Sequence, residues 1–181
     1  MRQLRLDRPR LRSFGPTSTE LRLITLFGKK MTPNRYWTPG NVVEIALSGA
    51  WAYGHVIAFP LVGFYSARRM KVAEIAALDN ESFAFRIWVM KYAVGKKGWP
   101  VIGSRPLSPE KAAEPWFLKR DSLSGRLTKY RDSDQQVVDA TPAEGENLEC
   151  AAVWDAAHVE SRLLDAFRGR PNKWLDSIKV G

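Results

Sequence analysis

The sequence contains a single cysteine, Cys150, in 181 residues. One thiol excludes an intrachain disulfide and, with it, the CxxC-type metal sites. Long apolar runs are missing as well: no stretch reaches the roughly 18 residues that a membrane-crossing helix needs, and the N-terminus lacks the apolar segment of a secretory signal. Gly-rich phosphate loops, HExxH and GxSxG do not occur. These absences set the expectations of a cytoplasmic protein with no metal, no cofactor and no membrane partner.

Acidic residues are scarce in one region only. Residues 1–36 carry nine Lys or Arg against Asp7 and Glu20, a net charge of +7, whereas the remaining 145 residues carry +2 of the total +9. The charge that invites a nucleic-acid reading therefore belongs to the N-terminal stretch, and the body is close to neutral. Residues 1–35 read as a flexible basic extension, because a chain that buries little does not offset its ordering entropy; Met31 is an alternative start. Residues 36–181 read as one β-rich domain.

Seven tryptophans are present, a high count for this length. The texture from Tyr36 onward is one of short strands separated by turn residues. Val43, Ile45 and Leu47 alternate with Glu44 and Ala46, Ser48-Gly49 offers a tight reversal, and Trp51, Tyr53, His55, Ile57 and Phe59 then share one face at period two. The other face of that second strand holds the small residues Ala52, Gly54, Val56 and Ala58. Leu61 to Ser66 reads as a third strand, Met70 to Asp79 as a short helix, and Ser82 to Tyr92 as a strand apolar on both faces and hence central. Pro100 marks an edge or a strand start. A second hairpin is expected around Ser124-Gly125 and a short strand over Gln135–Ala140. The fold expected is mainly β (α+β): a compact twisted antiparallel sheet, or a small barrel, closed by a C-terminal helix.

That helix concentrates the residues that look most chemical. Asp155 precedes a 3.6-residue pattern and is an N-cap candidate; Val159, Leu163 and Phe167 form its buried stripe; Gly169 stops it. His158 and Glu160 stand two apart and so point about 200° away from each other, which prevents a shared metal ion or a direct acid/base couple. An Asp155–His158 hydrogen bond at the helix start, with Trp154 and Trp174 in the core, makes the segment a structural latch, and Glu160 and Arg162 are left as outward contacts. His55 reads as a satisfied core or binding-face histidine and Cys150 as a small buried residue.

The ordered series GNVVEIAL (Gly40–Leu47), YGHV (Tyr53–Val56), VGFY (Val62–Tyr65), GWPVIG (Gly98–Gly103) and AVWD with HVE and Arg162 (Ala152–Arg162) resembles the immunity protein 26 family of bacterial polymorphic toxin systems. The resemblance spans roughly residues 36–178. It implies a cytosolic, mainly β, non-enzymatic protein that binds and neutralises a cognate toxin domain. It carries no catalytic set over. For such binding, Trp51, Tyr53, Trp99 and Trp116 are the candidate contact aromatics, beside Glu160 and Arg162. The alternative is a nucleic-acid-binding small β-barrel with stacking aromatics and a basic tail. A third reading, a small hydrolase using Asp155, His158 and Glu160, lacks a nucleophile.

Overall fold

Alternation of large and small residues builds the first three strands as a meander. In the computed structural model, which describes residues 35–69 and 74–178, strands β1 (Asn41–Leu47), β2 (Ala50–Ala58) and β3 (Leu61–Tyr65) pair antiparallel in sequence order. Gly49 supplies the positive φ that the first reversal requires. Strand β4 (Phe83–Val89) adds to β3 and β5 (Val101–Ser104) to β1, both antiparallel. The basic extension and Met31 lie outside the described residues, apart from Arg35 in a 3-10 turn, Arg35–Trp37.

A second sheet comprises β6 (Phe117–Arg120), β7 (Leu127–Arg131), β8 (Gln136–Asp139) and the two-residue β9 (Glu149–Cys150), in the order β8-β7-β6-β9. The main sheet runs β10-β4-β3-β2-β1-β5, where β10 (Val153–Trp154) joins parallel to β4. Each sheet is antiparallel except for one such short parallel strand, and among the described residues neither closes on itself. The protein is thus mostly β with a few helices, and of the two expected forms the open sheet is the one present. Short helices α1 (Pro109–Ala112) and α2 (Pro142–Gly145) each begin with proline after a Ser or Thr cap.

The small-residue face of β2 lies beneath the C-terminal helix. Ala52 and Val56 join Val43, Ile45, Val62, Phe64, Ile87 and Val89 in a core completed by Val159 and Leu163 of α3 (Ala156–Phe167). A methyl group on Gly54 would stand 2.9 Å from Val43 and 3.0 Å from Val62, so the bare backbone there is what lets the neighbouring strands' side chains meet. Helix α3 starts as the sequence indicates: the Asp155 carboxylate accepts from the Ala157 N–H at 2.9 Å. It ends in a Schellman closure, in which Gly169 N–H and Arg170 N–H return to the Ala166 and Asp165 carbonyls and Gly169 takes φ +61°. Helix α4 (Lys173–Ile178) then packs Trp174, Leu175 and Ile178 against the same core.

Two expectations change here. The strand expected to be central, β4, is second from the edge, and β10 flanks it only at Trp88 and Val89. Its two apolar faces arise because it is sandwiched: Phe85, Ile87 and Val89 face the helix core, while Trp88 lies 4.2 Å from Phe117 of the second sheet. The helix expected over Met70 to Asp79 is, in its described part, a single 3-10 turn at Ile75–Leu78 that seats Leu78 in a smaller core with Val42, Tyr53 and Tyr65.

Since Leu163 is fully buried at the centre of the helix–sheet contact, Leu163→Ala is expected to lower stability by about 2–5 kcal/mol. Urea unfolding at equilibrium measures this, with an unchanged slope if only the native core is affected.

Candidate functional site

Arg162 is the most constrained charged group of the C-terminal helix. The residue is 7% exposed, and its guanidinium forms two hydrogen bonds to the Glu149 carboxylate, at 2.9 and 2.5 Å. The same cation lies 3.9 Å from the centre of the Phe85 ring and 5.0 Å from that of Trp154. One side chain therefore ties α3 to β4, to β10 and, through Glu149 in β9, to the second sheet. The outward contact expected of Arg162 is corrected: the residue is buried because the fork geometry of guanidinium and carboxylate satisfies both charges internally.

The other residues of the segment are also engaged. Asp155 accepts from the Tyr92 hydroxyl in addition to capping the helix, and these bonds hold its carboxyl below the ordinary aspartate range. His158 stacks on Trp174 with ring centroids 3.7 Å apart and 21° between planes, so its packing partner is the α4 tryptophan and not Asp155 as expected. Glu160 accepts a 2.8 Å bond from the Trp99 indole N–H. Trp99, expected at a partner surface, is 4% exposed in the main core, and Tyr53 is fully buried beneath the opposite face. Neither presents a surface, because layers distant in sequence cover them. Trp51 and Trp116 are half-buried: Trp51 bonds through its backbone to Arg69, and the Arg131 guanidinium sits 4.5 Å from the Trp116 ring. Trp116 lines a cleft of about 720 Å³ with Phe83, Arg86 and Glu149.

A second polar constellation surrounds His55, which is 2% exposed. Its Nε2 lies 2.9 Å from the Gly40 carbonyl and 3.0 Å from the Arg105 carbonyl, and its Nδ1 lies 2.8 Å from the Tyr65 hydroxyl. Carbonyls only accept, so Nε2 carries the proton and Nδ1 of the neutral ring accepts from Tyr65. Burial pushes the Tyr65 phenol up to about 12, which keeps that donor protonated. Arg105 in turn pairs with Asp79, and Lys111 Nζ donates to the Asp79 carbonyl at 2.8 Å. These groups line a cavity of about 220 Å³. The ring nitrogens are both used, so the arrangement positions the β1 entry and the Arg105 loop and leaves no free base facing the cavity.

Burial is the largest influence on His55 and lowers its pKa, partly offset by the two carbonyls at Nε2. With the folded value below the unfolded value near 6.5, the unfolded chain takes up this proton first as pH falls. The contribution is therefore fully present above about pH 6.5 and is lost progressively below it. Melting temperatures measured from pH 8 to pH 5 are expected to fall on the acid side, with a shallower fall in His55→Gln. A separate substitution, Arg162→Ala, strands Glu149 and is expected to cost about 3–5 kcal/mol, read from chemical denaturation.

The side chains that do present surface lie elsewhere. Phe59, Met90, Tyr92 and Val153 are exposed large hydrophobics gathered at the C-terminal end of β4. The Val89 N–H bonds to the Pro60 carbonyl at 3.0 Å and the Met90 N–H to the Trp154 carbonyl at 2.8 Å, which brings the Phe59-Pro60 turn, the end of β4 and β10 together. The sequence pattern puts Phe59 on a strand face and Met90 and Tyr92 in the strand expected over Ser82 to Tyr92, and it assigns Val153 to no element. Their signal was positional: Phe59 stands where Pro60 breaks β2, and Met90-Lys91-Tyr92 follows the last alternating residue of β4.

The geometry thus defines a β-rich protein whose reactive-looking groups are spent on internal bonds and which exposes a group of large apolar side chains at the end of β4. The family model of Immunity protein 26 matches residues 38–128, half of the chain, and the protein belongs to that family. The matched segment runs from just before β1 into β7 and excludes α3. No curated protein and no solved structure matches the chain.

Proposed function

We propose that this immunity protein acts by binding a cognate toxin domain and blocking it, without catalysis of its own, in the cytoplasm of the cell that makes it. The observation that carries the reading is membership of the Immunity protein 26 family. The structure supports it in two ways. Arg162, Asp155, His158 and His55 are committed to packing, capping and buried hydrogen bonds. Exposed aromatic and apolar side chains, in contrast, are of the kind that dominate affinity in protein interfaces. Trp51 and Trp116 are half-buried and remain candidates for such contacts.

The test is co-expression. Cells producing the toxin domain encoded beside this chain's gene are expected to grow when the chain is produced with it and to die without it. Killing that proceeds unchanged in its presence would remove the reading. The purified pair is expected to elute as one complex in size-exclusion chromatography.

A further inference from the structure

Among the described residues, the apolar corner at the end of β4 is the feature that the folding constraints leave unexplained. Phe59 is 54% exposed, Met90 40% and Tyr92 58%, although their immediate neighbours Trp37, Val89 and Ala93 are buried. The corner is also rigidly supported. The Phe59 ring meets Trp37 edge-on with centroids 5.1 Å apart, the Trp37 indole donates to the Lys91 carbonyl, and the Tyr92 hydroxyl donates to Asp155. Aromatic side chains held in this way at a surface offer contact area without a large ordering cost.

The exposed ionic side chains beside the corner are cations, whereas the nearby carboxylates Asp155 and Glu160 are half-buried. Lys91 stands between Met90 and Tyr92; Lys96 and Lys97 occupy the turn whose Gly95 and Gly98 close onto Trp99 and Ala93; Arg35 opens the turn that carries Trp37. All four cations are exposed. The two carboxylates contributed from the start and first turns of α3, Asp155 and Glu160, are already engaged by Tyr92 and Trp99.

We propose that this corner is the toxin-docking surface, and that it takes an acidic face of the toxin domain: apolar side chains at the centre meet Phe59, Met90 and Tyr92, and Asp or Glu residues at the rim meet Lys91, Lys96, Lys97 and Arg35. The inference rests on the toxin-binding reading above. Charge complementarity selects this occupant. A second copy of the chain would bring the same cations face to face. A nucleic acid would satisfy the cations but would leave Met90 and Val153, both exposed, against a polar backbone.

The experiment uses the full chain and the toxin domain encoded by the neighbouring gene, with affinity read by calorimetry and protection by growth. Phe59→Ser and Met90→Glu are expected to weaken binding roughly thirtyfold or more each, the loss characteristic of central interface residues, with melting temperature held near that of the wild type in Met90→Glu. The double reversal Lys91→Glu, Lys97→Glu is expected to slow association about tenfold or more and to flatten its dependence on salt. Val138→Glu, on the exposed face of β8, is expected to bind as the wild type does. Wild-type protection combined with full binding by Met90→Glu and by the charge reversal overturns this surface while leaving the toxin-binding reading in place. Failure of the wild-type chain to bind or protect removes that reading and the surface with it. A wild-type dimer dissolved by Met90→Glu, or binding of a 20-nucleotide single strand that Met90→Glu abolishes, assigns the corner to another occupant and overturns the proposal.

Discussion

A buried guanidinium cannot be left unpaired, and the position of Arg162 therefore fixes much else. Hydrophobic burial alone is non-directional and would hold α3 against the sheet in several rotations of similar energy. The two bonds from Arg162 to Glu149 accept only one of them. Glu149 belongs to β9, which pairs with β6 of the second sheet, so the requirement to neutralise one cation sets the helix and both sheets in a common register. Phe85 and Trp154, whose rings flank the guanidinium, are bound by the same requirement. Removing either charge exposes the other to a desolvation cost that no neighbouring group offsets.

His55 imposes a second constraint of the same type on the opposite face. Its two nitrogens join the Gly40 carbonyl ahead of β1, the Arg105 carbonyl after β5 and the Tyr65 hydroxyl at the end of β3. Three segments far apart in sequence are thereby held by one neutral ring. A histidine used in this way has neither a free lone pair nor a free N–H, which is why the cluster with Tyr65, Asp79, Arg105 and Lys111 resembles an active site in composition and behaves as a joint.

Local features were legible in the sequence and non-local ones were not. The β1–β2 hairpin, the Asp155 cap, the Gly169 stop and the hairpin around Ser124-Gly125 follow from residues within one turn of each other, and the structure forms each of them. Alternation in β2 correctly separated a large face from a small one. It could not say that both faces are covered, because the covering groups come from α3 on one side and from the Leu78 turn and Phe117 on the other. For that reason Tyr53 and Trp99 looked like surface aromatics and are core, whereas Phe59 and Tyr92 looked like strand residues and are exposed. Arg162 was misplaced on the same grounds, since helical spacing gives the direction of a side chain and Glu149 lies in a strand of only two residues.

The segment shared with the family and the segment that stabilises it are different parts of the chain. Residues 38–128 include β1 to β5, Phe59 and the Met90–Tyr92 run, but neither Glu149 nor Arg162. Yet the end of β4 keeps its shape through β10 and α3: the Met90 N–H bonds to the Trp154 carbonyl, and the Tyr92 hydroxyl is anchored on the helix cap Asp155. The C-terminal helix thus has a role beyond closing the core. By holding Trp154 through Arg162 and Tyr92 through Asp155, it anchors the exposed apolar corner at the end of β4, and a surface anchored before contact spends less of its contact energy on ordering itself.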